Sequence, residues 1–366
     1  ATSTGILNPP LFIYLLLPLT FISTDPKFIT FIIAFANMLA IGFLFLIIKK
    51  YYNQTLAFIV SLLIAFSPWA IIFSRKIWPP DIVLPFAVVI LYSIHKIIIE
   101  KKTTFWIPLS AFLLLIAQLD LAYIFFALIL FLFLFLSKPQ INIKYITFGL
   151  IIGAIPLLPY AMFELKNSCP DCPLVFSVEK KLAAQRSISL LTIPLQITSQ
   201  GNFRFVMGDD LMVLANNFPL VYKLRSILYI EYILTIFGIF IFWKKYPRLR
   251  FLPYSVLFVP IFYFLFRLEP SMHYFVILMP FLFIFVGVAI YTFLKSKNLL
   301  FKYLSLSIFL LIIITSIMFD SAFFDILKKN KGLRGDYGQS LAKTYTLAEK
   351  QFETYKHRYD YDEIVI

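Results

Sequence analysis

Apolar runs of about 20 residues recur along this chain, and short clusters of Lys and Arg separate them. A hydrocarbon core of about 30 Å takes roughly 20 apolar residues to cross as a helix. Inside it, every backbone polar group has to be bonded within its own segment, so such runs must be helical. Candidate spans are 28–48, 55–73, 80–98, 104–119, 121–137, 144–161, 227–243, 251–267, 274–293 and 301–319. The expected fold class is therefore an all-α polytopic membrane protein with about ten transmembrane helices. A hydrophobic content of 61% and a mean hydropathy of +0.87 exclude a soluble domain of this length.

Two places need more than run length. Residues 105–136 have no real loop, yet one helix over them would measure ~48 Å, too long for a single span. Two short spans meeting at Gln118-Leu119-Asp120 are expected instead. Residues 11–22 are apolar but short, with Pro9, Pro10 and Pro18 in or beside them, which suits an interfacial surface helix.

Basic residues sort the loops. One alternating set holds Lys49, Lys50, Lys96, Lys101, Lys102, Lys138, Lys144, Lys244, Lys245, Arg248, Arg250, Lys295, Lys297 and Lys302, with only Glu100 acidic among them. These are expected to be cytoplasmic. The net charge of +14 thus reads as topology anchoring, and no nucleic-acid partner is expected. The opposite set carries Asp25, Arg75, Asp81, Asp120, Glu164, Asp171, Arg267, Glu269 and His273. The chemistry is accordingly expected on the outer face of a cytoplasmic (plasma) membrane, with a cavity facing out of the cell. Residues 1–320 would form the transmembrane domain, with one sizeable outer loop at 165–226. Residues 321–366 would form a small extracytoplasmic tail. Residues 1–10 show neither an initiator Met nor a basic leader, so the sequence is expected to begin inside a loop of a longer chain.

Several outer residues could carry chemistry. Arg75 offers a planar fork suited to phosphate, Lys76 adds charge and Trp78 an apolar face, with Asp81 close behind. A snorkelling interfacial cluster is the plainer alternative for these four. Asp120, two residues after Gln118 in an apolar stretch, is expensive unless wet or paired; it is either a cavity-lining acid or a turn residue. Tyr160 and Glu164 end a span. Arg267, Glu269, His273 and Tyr274 lie on a very short outer connection, as phosphate ligands or as a salt-bridged turn. Cys169 and Cys172 supply only two metal ligands, so zinc is unsupported and a local disulfide or two free thiols remain. No phosphate-binding glycine loop, dinucleotide fingerprint or zinc-protease motif occurs.

Taken in order, these segments resemble the GT-C class of integral-membrane glycosyltransferases. The likeness is nearest to the family-39-like branch related to protein O-mannosyltransferases and lipid A aminoarabinose transferases. Gly5 to Leu16 is similar to the end of that family's first outer loop and its surface helix. Ser67-Pro68-Trp69, Phe73-Ser74-Arg75 and Trp78 resemble its S-P-W-x-x-x-F-S-R-x-x-W stretch. Gln118-Leu119-Asp120 resembles Q-x-H with Asp in place of His. Pro159-Tyr160 with Glu164-Leu165, His273-Tyr274 leading to Pro280, and the tail Gly335-Asp336-Tyr337-Gly338 complete the series.

The resemblance implies inverting transfer of a sugar from a polyprenyl-phosphate (dolichyl-phosphate-like) donor to a protein, lipid or glycan acceptor outside the cytoplasm. Arg75, Arg267 and His273 would hold the donor phosphate. Trp78, Asp81, Gln118, Asp120, Tyr160, Glu164, Glu269 and Tyr274 would line the substrate cavity. The family's general base lies in the first outer loop, so its counterpart is expected upstream of Ala1. Some members use a divalent ion, but no ligand cluster here demands a metal, and no cofactor is implied beyond the donor. A transporter or lipid flippase, or a non-catalytic membrane assembly subunit, is the alternative.

Overall fold

The structure, a computed structural model, describes residues 9–169, 191–265 and 271–341, together with 343, 344 and 346. Among these residues it is helical, with no strand beyond an isolated bridge between Gly332 and Gln339. The chain opens with α1 (Leu11–Thr20), α2 (Pro26–Tyr51), α3 (Gln54–Ala65) and the single turn α4 (Pro68–Ile72). Then come α5 (Val83–Ile98), α6 (Trp106–Leu119), α7 (Tyr123–Leu136), α8 (Ile143–Ala154) and α9 (Leu158–Lys166). Short helical turns between residues 193 and 224 lead into α10 (Leu228–Lys245). Helices α11 (Phe251–Leu265), α12 (Met279–Leu294) and α13 (Leu299–Asn330) follow.

Among the described residues, seven helical stretches are long and apolar enough to cross a membrane, which makes this a multi-pass membrane protein by length and composition. The expectation was about ten, and local chemistry explains the difference. The run at 55–73 is interrupted where Ser67 caps α4 and Pro68 occupies its first position. The Pro68 ring removes an amide and cannot continue α3. Between α6 and α7, Asp120 takes an extended conformation and its Oδ1 accepts a hydrogen bond from the Ala122 amide at 2.9 Å. That side-chain turn competes with the helical ladder and breaks it, leaving two apolar helices of 14 residues each. The last helix, in contrast, runs on from the expected end of its span to Asn330.

Helix α12 is the hub. Every residue from Met279 to Ile290 is buried, and α3, α10 and α13 pack around it. Gly238 lets α10 lie directly on the α12 backbone, since a Cβ there would overlap the Phe285 carbonyl. Helices α6 and α8 make the other intimate pair. A Cβ on Gly149 would strike Ser110 and the Ile107 carbonyl. Close approach through small residues is how helices attract in lipid, where burial against a neighbour removes no water. Ser110 Oγ then donates to the Ile146 carbonyl (3.0 Å) and Gln118 Nε2 to the Gly153 carbonyl (2.6 Å).

The two sets of loops collect at opposite ends of the bundle. At one end Glu100 accepts from Lys50 (2.6 Å) and Lys96 (2.9 Å), with Lys102 at 3.5 Å. At the other, the 67–82 segment, the α6–α7 break, the turn leading into α12 and the chain after α13 converge.

Candidate functional site

Two local devices hold residues 74–78 out of helix. The turn α4 ends at Ile72, and Pro79-Pro80 opens a 3-10 turn, Pro79–Ile82, that leads into α5. Proline at the first positions fixes the start of the helix and keeps it from extending backwards. Arg75, Lys76, Ile77 and Trp78 therefore sit on a bend at the mouth of the bundle.

Lys76 turns inward. Its Nζ donates to the Asp336 backbone carbonyl at 2.9 Å and lies over the rings of Trp78 (4.7 Å) and Tyr337 (5.5 Å). Burial pushes the ammonium below its ordinary range, while the negative charges of Asp81 and Asp336 pull it back up. A cation held by one carbonyl and two aromatic faces keeps donor capacity for an anion. Arg75 is exposed and points elsewhere. Its guanidinium lies 4.7 Å from the Phe324 ring on α13, with the buried Asp320 carboxylate as an electrostatic neighbour.

Trp78 makes the next link. Its indole meets the His273 imidazole edge-on, with centroids 4.6 Å apart. His273 Nε2 lies 3.4 Å from Asp120 Oδ2, so Asp120 ends α6 with one oxygen and faces histidine with the other. The Tyr274 ring packs 4.3 Å from His273. Tyr123 donates its hydroxyl to the His273 carbonyl (2.8 Å), and Tyr263 donates to the Ala122 carbonyl (3.2 Å). Trp78, Asp120, His273 and Tyr274, widely separated in sequence, thus form one contiguous group with Lys76.

Asp81 lies behind it, 1% exposed. Its backbone carbonyl accepts from Asn37 Nδ2 at 2.7 Å. Neither carboxylate oxygen has a hydrogen bond of ordinary geometry, and the Lys76 amide and ammonium are its nearest compensation. His273 Nδ1 is also buried without a partner. Such groups are costly to leave unpaired in a desolvated setting, and three such atoms gather at this mouth.

The other expected site residues fall differently. Gln118 is a structural tie between α6 and α8 through its amide nitrogen. Glu164 is buried on α9, and Tyr160 lies one turn earlier. The main packing of α9 is with its own lead-in turn. Arg267 and Glu269 lie outside the described residues, as does Cys172; Cys169 is disulfide-bonded. Among the described residues no group of three or more His, Cys, Asp or Glu could hold a metal ion.

The tail supplies partners that residue type alone does not announce. The Asp336 amide donates to the Phe205 carbonyl (2.9 Å) and the Tyr337 amide to the Val206 carbonyl (3.2 Å). Arg334 N donates to Asp210 Oδ2 at 2.8 Å. Gly208, at φ +57°, and Gly335 let the two backbones touch; a Cβ on Gly335 would come within 2.6 Å of the Val206 carbonyl oxygen. Tyr337 is thereby placed among Phe323, Lys76 and Arg75, and burial raises its phenol above the ordinary range. No protein-family model, no curated protein and no solved structure matches this chain.

Proposed function

We propose that this chain is a GT-C-type glycosyltransferase that moves a sugar from a polyprenyl-phosphate donor to an acceptor outside the cytoplasm. In that reading the three shorter helical stretches, 54–72, 103–119 and 123–136, also cross the bilayer, giving about ten spans. The observation that carries the reading is the grouping of Lys76, Trp78, Asp120, His273 and Tyr274 at one end of the helices. It joins the Lys76 ammonium, an aromatic wall and a carboxylate–imidazole pair where four stretches of chain converge.

The chemistry follows from that set. The bond from the sugar's anomeric carbon to the phosphate oxygen breaks, and the acceptor oxygen attacks the same carbon from the opposite side. Negative charge grows on the departing polyprenyl phosphate. Lys76, fixed by the Asp336 carbonyl, meets that charge without reorganising, which is where preorganised electrostatics lower a barrier most. Arg75, packed on Phe324, adds positive charge at the rim of the same mouth. His273, held by Asp120, contributes a further donor to phosphate, and Trp78 packs against the sugar ring or first isoprene unit. No residue is assigned as the base that takes the acceptor proton.

The test is direct. The full chain in proteoliposomes is given radiolabelled polyprenyl-phosphate hexoses and a hydroxyl acceptor. Free polyprenyl phosphate and labelled acceptor are expected in equal amounts, and Lys76→Met should cut both more than about 100-fold while the protein still accumulates. Failure to consume any donor, or undiminished turnover in the variant, overturns the proposal.

A further inference from the structure

A second polar group lies away from this site, along α10. Glu231 is the only acid in the stretch Pro219–Lys245, itself long and apolar enough to span a membrane, and stands near its middle. The residue is 3% exposed. Its Oε2 has no hydrogen-bond partner, and no Lys, Arg or His forms an ion pair with it among the described residues. A lone carboxylate at such depth needs a positive charge beside it or a proton on it.

The α10 face that carries Glu231 also carries a hydroxyl in contact with the 195–200 turn. Thr235, one turn on and on the same face of α10, touches Thr198: their Oγ1 atoms are 3.3 Å apart. Each of those hydroxyls also has a carbonyl in reach, so its single proton has two acceptors. Thr235 donates to Glu231 O at 2.7 Å and Thr198 to Leu195 O at 2.9 Å. When both protons go to the carbonyls, both oxygens keep lone pairs free for a cation between them. Oxygens held at about 2.4 Å from a cation, at right angles, are about 3.4 Å apart. The same buried turn, Thr198-Ser199-Gln200, brings Gln200 Oε1, and Gln196 adds its own Oε1; neither has a partner. Ser199 is engaged with Tyr232. A side chain on Gly201 would collide with the Tyr232 hydroxyl, its Cβ 2.7 Å away, which shows how tightly this turn seats on α10.

We infer that Glu231, Thr235, Thr198, Gln196 and Gln200 form a binding site for a monovalent metal cation of sodium size between α10 and the 195–200 turn. The ligand set is all oxygen, as hard cations require, with one carboxylate to balance one charge. A divalent ion would leave a net charge in the membrane interior, and no cluster of acids exists here to offset it. Bound there, the ion would lock the outer connection onto α10 and, through the packing of Ile193–Gln196 on Met272–Leu278, steady the segment that carries His273. This site does not depend on the glycosyltransferase reading.

Thermal unfolding of the full chain in detergent tests it, comparing sodium, potassium and choline chlorides at one ionic strength of about 150 mM. Sodium should raise Tm by about 2–4 °C over choline. Glu231→Gln should lose that increment while matching the wild type in choline. Thr235→Val, which removes one ligand oxygen only, should weaken the sodium midpoint about 10-fold and carries the test if Glu231→Gln fails to fold. Equal Tm in sodium and choline, a response to millimolar calcium instead, or an increment unchanged in the variants would each overturn the inference. The first of these outcomes would assign Glu231 a proton in place of a metal ion.

Discussion

At one end of the bundle Glu100 is enclosed by Lys50, Lys96, Lys102 and Tyr51; at the other, Asp81, Asp120 and the tail surround Lys76 and His273. The residue types are alike, but their bonding is not. Glu100 Oε1 accepts from Lys50 and Tyr51, both at 2.6 Å, and Oε2 from Lys96 at 2.9 Å. Those bonds, led by the one from Lys50, hold its carboxyl far below the ordinary range. At the opposite end both Asp81 oxygens and His273 Nδ1 have no such partner. A saturated network fixes helices in place, as this one ties α2 to α5. A network with spare bonds stores interaction for something that arrives later.

Substitutions can break that contrast. The largest effect is expected from Lys76→Met, which keeps the stem packed on Trp78 and removes the charge. Donor consumption should fall more than about 100-fold with Tm nearly unchanged; retained turnover would make the Lys76 cluster as purely structural as the Glu100 one. His273→Phe preserves the ring edge on Trp78 and loses the nitrogens, and a fall of about 10-fold in kcat/KM is expected. Gly335→Val forces a side chain into the Val206 and Gly208 backbones. It should lower Tm by about 3–6 °C and turnover a few-fold, because Lys76 loses its carbonyl anchor. If turnover holds while Tm drops, the tail is a clasp with no share in positioning Lys76.

The smallest effect belongs to the latch. Glu100→Gln should leave turnover intact and lower Tm by about 2 °C or less, since half-exposed pairs are screened. The sign with pH is fixed. A carboxyl depressed in the folded state stabilises above its unfolded value of about 4.3, and that stabilisation fades as pH falls below it. Wild-type Tm should therefore decline more steeply than the variant's between about pH 5 and pH 3; parallel curves would show that the latch adds nothing.

Much of this was legible in residue order. Run length gave helices, and the Lys-rich loops do gather at one end, because charge segregation is written in composition. Asp120 stood out as an acid in an apolar stretch, and its helix-breaking turn sits where the two short spans were expected to meet. Between Arg75 and Lys76 the sequence favoured Arg75 for phosphate, whereas Lys76 is the one that turns inward. Their directions are set by a backbone carbonyl 260 positions away, and a carbonyl has no letter of its own. The part played by Tyr337 was hidden for the same reason. Glu231 did leave a signal, a single acid within the apolar run 227–243, but its companions are Thr, Ser and Gln, which are unremarkable one by one.

The hydrogen bonds from Asp336 and Tyr337 to residues 205 and 206 carry an implication for how the protein is made. Lys76 leaves the ribosome early, whereas the carbonyl that orients it emerges only after α13, near the finish of the described chain. Every helix from α1 to α13 could be inserted and packed while the Lys76 cluster stayed unassembled. Setting of this mouth thus follows insertion of α13, and a chain cut after Asn330 would keep α1 to α13 with an unset site.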